Sequence, residues 1–239
     1  MTFSLNAADS SWHTCLKNAL AQMDPDYLQQ LYNNHDWLPG AENIFNAFSL
    51  PVNQTQYILF GESPYPRKTS ANGYAFWDAA VGSLWSETGL SKPVNRATSL
   101  RNILKMLLVT AGRLSPAETS QTAIAQLNKK DLIQTNTEFF QNFLAHGFLL
   151  LNATPVLRPN QVKQDARAWQ PFVEYVLDFI FTQRPQVKLV LFGNIANLID
   201  KLVKQADVAK LYAEHPYNLS FIHNQQVQDF FRPLHLLKK

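Results

Sequence analysis

Three short apolar runs constrain this chain more than anything else in it: YILFG at 57 to 61, FLLLNA at 148 to 153 and KLVLFGN at 188 to 194. Each ends in a small or polar residue and is followed by loop or helix, as in parallel strands covered on both faces. Between and around them lie segments with helical spacing: 11 to 23, 25 to 34, 42 to 48, 98 to 111, 138 to 146, 169 to 181 and 195 to 204. A helical entry over residues 1 to 50 followed by alternating β and α elements predicts a doubly wound α/β sandwich. The stretch 121 to 136 is expected to be a helix with polar connections. AEHPYNLSFIHN, at 213 to 224, reads as a functional loop behind a short strand, YAE.

A chain of 239 residues with 46% hydrophobic and 16% charged residues has enough material for one well-filled core, so a single domain over 1–239 is expected. No apolar run approaches the roughly 18 to 20 residues of a membrane helix, so no membrane partner is expected. The start MTFSLNAADSSW lacks a basic segment followed by an apolar block, so no secretory signal is expected. The single Cys15 forms no internal disulfide, which fits a reducing cytoplasmic location. A net charge of +3 and a pI near 8.9 allow a nucleic-acid or phosphate partner without requiring one.

In open α/β sheets, ligands bind beyond the carboxyl ends of the strands. The residues there are 62 to 66, 152 to 155 and 193 to 194. Asn152 ends its run with one acceptor and two donors, a pairing edge like part of a nucleobase, and an Asn here equally caps a turn. Phe76 follows a flexible loop and is suited to stacking on a planar ligand or to ordinary core packing. His215 is held extended by the following Pro and can donate to an oxygen that gains charge, or it is a surface histidine. The glycine-rich phosphate loops, the GxSxG elbow and the HExxH motif are absent from the sequence. No cofactor is expected. The spacing of the six histidines and Cys15 gives no metal set, so no metal is expected. Cys15, inside the amphipathic stretch SWHTCLKNALAQM, reads as a packed residue rather than a nucleophile.

GESPYP (61 to 66) and HPYNLS (215 to 220) are similar to the first and last motifs of the uracil-DNA glycosylases, GQDPYH and HPSPLS. RKTSANGYAF, TSLRNILKML, FLLLNATPVLRPNQ, KLVLFGN and FFRPLHLLKK resemble further segments of that family in the same order, from about residue 40 to the end. The resemblance implies a three-layer α/β sandwich around a short, mostly parallel four-stranded sheet. It implies a DNA-repair hydrolase that removes uracil from single- or double-stranded DNA, acting as a monomer. Phe76 would stack on the base, Asn152 would pair with its polar edge, and Tyr65 would stand against C5 to reject the methyl of thymine. Glu62 would join them in binding the base, with Tyr74 and Trp77 completing a flat aromatic slot. His215 would donate to the uracil O2, and Leu219 would enter the duplex where the base has left. Ser99, Gly193, Asn194 and Ser220 would lie near phosphates.

One position departs from the family in a way that touches the chemistry: Ser63 stands where GQDPYH has its Asp. Breaking the bond to a base builds cationic character on the sugar, which a fixed carboxylate stabilises while orienting water. Serine holds a water but brings no charge. Glu62 is adjacent, yet neighbours on extended chain point to opposite sides, and Asp165 is a more remote replacement. Pro66 replaces the family's His, and KPVNRATS replaces its proline-rich loop before Ser99. Weakened or altered activity is expected, and the alternative is a protein on the same fold that binds uracil or DNA without cleaving.

Overall fold

The computed structural model describes residues 3–239. Along the chain lie α1 (His13–Leu20), α2 (Pro25–Asn33), β1 (Tyr57–Gly61), β2 (Trp85–Ser86), β3 (Gly89–Leu90), α3 (Lys92–Arg96), α4 (Thr98–Thr110) and α5 (Gln121–Ala125). They are followed by α6 (Asn136–Ala145), β4 (Phe148–Asn152), α7 (Val162–Ala168), α8 (Gln170–Gln183), β5 (Lys188–Phe192), α9 (Ile195–Leu202), β6 (Lys210–Ala213) and α10 (Gln225–Phe231). The strand order is β4-β1-β5-β6, and β1 runs parallel to both β4 and β5. This is the parallel α/β sheet flanked by helices that the sequence predicts. Ile58 pairs with Leu149 and Leu189, and Phe60 with Leu151 and Leu191, all buried. Leu59, Leu150 and Val190, which point to the opposite face, are buried as well. A strand buried on both faces reads as an unbroken apolar run, which is why these three were visible in the sequence.

The chain gathers into two compact units, Met1–Asp78 with Gly147–Lys210, and Ala79–His146 with Leu211–Lys239. In the first, α1 packs along α8, burying Cys15, Leu16 and Ala19 with Val173, Val176 and Ile180. A buried polar group ties the chain after β4 into this core. Asp165, fully enclosed, accepts from Arg158 Nε at 2.7 Å, Arg158 N–H at 2.9 Å and the Tyr27 hydroxyl at 2.9 Å. The second unit packs α4, α6 and α10, with the Phe143 and Phe231 rings 6.2 Å apart. A capping box starts α6: Thr135 accepts from the Glu138 N–H while the Glu138 carboxylate returns to Thr135.

Two expected helices are realised differently. Residues 42 to 48 form turns and a short 3-10 segment, Asn46–Ser49. Here the Asn43 amide donates to Pro39 O at 3.2 Å and the Asn46 amide to Asn72 O at 2.8 Å. Such side-chain bonds offer the chain an alternative to helix. Within 121 to 136 the helix is confined to α5, and residue 136 already begins α6. No helix among the described residues is long and apolar enough to cross a membrane.

Candidate functional site

In the first unit, β1 and β4 end side by side with Gly61 opposite Asn152. The pairing continues past the strands, where Ala153 N–H donates to Gly61 O and Thr154 N–H to Glu62 O, both at 2.9 Å. A third segment joins them, with Ala75 N–H donating to Leu150 O at 3.0 Å. A Cβ on Gly61 would lie 2.5 Å from Asn152 Oδ1 and 2.9 Å from the Ala75 Cβ. Glycine is therefore what lets the Asn152 amide and the loop carrying Phe76 close over the end of β1. Asn152 is only 3% exposed, and its Nδ2 has no hydrogen-bond partner among the described residues. A buried, unsatisfied N–H costs about 1 to 3 kcal/mol, so this donor is poised for an acceptor brought by a ligand.

Tyr65 and Phe76 are built as a pair. The Tyr65 hydroxyl donates to Phe76 O at 3.2 Å, and Phe76 has φ 63°, a left-handed backbone that bulky residues rarely adopt. Strain of this kind persists only where surrounding contacts impose it, and it clusters at functional sites. The Phe76 ring stands edge-on to Phe192 at the end of β5, 6.3 Å between centroids and 77° between planes. Burial, and then the nearby Asp78 carboxylate, push the Tyr65 hydroxyl up to about 12, so it remains a donor at neutral pH. Asp78, itself buried, is paired with Arg67 at 3.2 Å.

Not every expected residue joins this group. The Tyr74 and Trp77 rings pack against each other at a tilt of 32°, centroids 4.8 Å apart, and the Tyr74 hydroxyl meets Ser49 Oγ at 2.9 Å. Both contacts hold these two rings within the first unit, apart from the Tyr65–Phe76 bond. Ser63 is half-buried while Glu62 is exposed. Asp165 is committed to Arg158 and Tyr27 and is unsuited to replace the missing carboxylate. Cys15 is 1% exposed and burial raises its thiol to about 12, which removes it as a nucleophile. Gly193 turns the chain at φ 74° after β5, and Asn194 precedes α9 without a side-chain capping bond.

In the second unit, His215 begins a tight turn, its carbonyl accepting from Asn218 N–H at 2.9 Å. The Tyr217 N–H donates to His215 Nδ1 at 3.1 Å. An Nδ1 that accepts carries no proton, so the ring's donor is Nε2. Tyr217 and Leu219 project from the same turn, 67% and 64% exposed. At its base the Asn224 amide donates to Glu214 Oε2 at 2.7 Å. Burial would raise the Glu214 carboxyl, but bonds from Asn224 and Ser220 hold it below the usual carboxylate range. Ser99 lies in the first turn of α4, whose Ala97 cap makes no side-chain bond.

The sequence reading passed over Asn102, which is fully buried on α4 and donates to the His215 turn. Its signal was a polar residue on the stripe of Met106 and Val109, buried positions one and two turns along. Among the described residues, no group of three His, Cys, Asp or Glu side chains is arranged to hold a metal.

No family model matches the sequence. A crystal structure of UNG from Nitratifractor salsuginis superposes with a TM-score of 0.93 at 40% identity, covering 98% of this chain and 94% of that one. The uracil-DNA glycosylase of Amoebophilus asiaticus is 26% identical over 215 residues, 86% of this chain and 82% of its own. That of Fusobacterium nucleatum is 25% identical over 195 residues, 81% and 73% of the two chains. The mimivirus uracil-DNA glycosylase shares the fold, with a TM-score of 0.61 at 16% identity over 90% of this chain and 71% of that one. The parallel sheet with polar residues at its carboxyl ends makes this an α/β protein, and the likeness to the Nitratifractor structure over nearly the whole chain gives its class. This chain belongs to the uracil-DNA glycosylase family.

Proposed function

We propose that this chain hydrolyses the N-glycosidic bond of uracil in DNA, leaving free base and an abasic site. The observation that carries this reading is the buried, unpartnered Nδ2 of Asn152 beside Gly61. The uracil O4 is an acceptor where cytosine has a donor amine, so this amide favours uracil over cytosine. Tyr65, held against Phe76, stands against C5 and excludes the thymine methyl, while Phe76 stacks on the base. Glu62, exposed beside Ser63, meets the base at the open rim of this slot.

Water adds to the sugar C1′ as the bond to the base nitrogen breaks, the bonding electrons leave with uracil as its anion, and the proton the water loses passes to solvent, from which the anion is protonated to free base. His215 Nε2 donates to O2, where that charge collects, and Ser63 orients the water. Ser99 at the start of α4, Gly193 and Asn194 at the start of α9, and Ser220 engage phosphates through hydroxyls and unpaired helix N–H groups. Such an enzyme acts as a single glycosylase domain, monomeric and cytoplasmic, on both single-stranded and duplex DNA.

Leu219 serves as the wedge that fills the vacated stack. Leu219→Ala therefore lowers uracil release from duplex more than from single strands, since an unpaired base leaves the stack at less cost. Single-turnover assays on the two substrates check this, and equal losses on both would remove the wedge role. One observation favours a second reading: with Ser63 in place of a carboxylate, the fold is also suited to a protein that binds uracil in DNA without cleaving it. Uracil-dependent binding with no abasic product from the wild type would select that reading.

A further inference from the structure

Asn102 is a polar side chain with no exposed surface, an arrangement that is costly unless every polar atom is used. Its Oδ1 accepts from Arg101 Nε at 3.3 Å. Its Nδ2 faces three successive carbonyls of a segment more than a hundred residues away: Pro216 O at 2.8 Å, Tyr217 O at 3.3 Å and Asn218 O at 3.4 Å. Three consecutive carbonyls converging on one nitrogen belong to neither helix nor strand. The backbone between His215 and Leu219 curls around this amide.

The contact with Pro216 has a direct consequence for the histidine. Pro216 C=O and Tyr217 N–H are the two ends of one planar peptide unit, pointing in opposite directions. The carbonyl accepts from Asn102 at 2.8 Å, and the N–H donates to His215 Nδ1 at 3.1 Å. Fixing one end fixes the other, and a donor on the carbonyl polarises the N–H toward the ring. Apart from the buried Pro216, the residues 215 to 219 are exposed, and Asn102 is a buried side chain that reaches three of their carbonyls.

We propose that Asn102 is a positioning residue: through the Pro216–Tyr217 peptide it sets the tautomer and orientation of His215, and through the same turn it sets the projection of Leu219. The assignment rests on the proposed uracil-releasing function for its catalytic consequence, while its structural half is independent of activity.

The test compares wild type, Asn102→Ala and Asn102→Ser. Ring nitrogen NMR of His215 in the free protein is the first readout. Wild type shows a single Nε2–H form, Asn102→Ala a mixture of tautomers, and Asn102→Ser, which keeps one donor, an intermediate signature. The second readout is single-turnover release from a uracil oligonucleotide beside its dissociation constant. The rate falls between about 10- and 100-fold in Asn102→Ala, the cost of misplacing a reacting group, while affinity changes far less. On a single-stranded oligonucleotide, where the Leu219 wedge contributes least, adding Asn102→Ala to His215→Ala costs little further, because the two act as a unit.

Should Asn102→Ala fail to fold, Asn102→Ser carries both readouts. A His215 signature unchanged in a folded variant overturns the proposal, as does additivity with His215→Ala. A wild type that releases no uracil defeats the proposed function instead and leaves the ring signature to decide the role of Asn102.

Discussion

Asn152→Ala lowers single-turnover release of uracil by about 10²- to 10³-fold, the usual cost of removing one preorganised donor from a site where charge develops. The residue is 3% exposed and its Nδ2 has no partner among the described residues, so the unliganded protein carries the penalty of an unsatisfied donor. An acceptor on the base relieves that penalty and gains a bond in a site shielded from water. The alanine variant gives up the bond while sparing the protein the unsatisfied donor. Its melting temperature therefore holds or rises while activity collapses. A parallel fall of stability and activity would instead identify Asn152 as a structural cap at the end of β4.

Ser63→Asp raises the same rate, on the order of 10²-fold. Ser63 is half-buried two residues beyond the end of β1, the level at which Asn152 ends β4. A carboxylate introduced there opposes the positive charge that builds on the sugar and fixes the attacking water. The two acidic alternatives weighed from the sequence are unsuited as they stand: Glu62 is exposed, and Asp165 is consumed by Arg158 and Tyr27. Parallel measurements of rate and dissociation constant separate this effect from altered binding. No gain in rate with affinity intact would mean that the charge is supplied from elsewhere in the chain.

The sheet was legible because β1, β4 and β5 are covered on both faces, which writes a continuous apolar run into the sequence. β6 is only half-buried along its length, so its signature was reduced to YAE. Residues 42 to 48 misled because Ile44, Phe45 and Phe48 have helical spacing and are all buried, yet the Asn43 side chain bonds the local backbone at Pro39 and the Asn46 side chain ties the segment to Asn72. Of the candidate residues, Asn152, Tyr65 and Phe76 in the first unit and His215 in the second were visible as residues following strands or standing in matched motifs. The left-handed backbone of Phe76 was not, since nothing in NGYAF requires a phenylalanine at positive φ. Nor was the pairing of Tyr74 with Trp77, which short sequence separation alone does not distinguish from the pairing of Tyr65 with Phe76. Asn102 lay furthest from sequence reasoning because its partners, Pro216 to Asn218, come from another part of the chain.

The most direct test of the account is single-turnover cleavage of uracil-containing single-stranded and duplex oligonucleotides, with enzyme in excess and His215→Ala run beside the wild type. The account predicts abasic product from the wild type on both substrates, none from the same oligonucleotides carrying thymine or cytosine, and loss of most of the product with His215→Ala. Uracil-dependent binding without abasic product from the wild type would contradict it and leave a base-binding protein on the glycosylase fold.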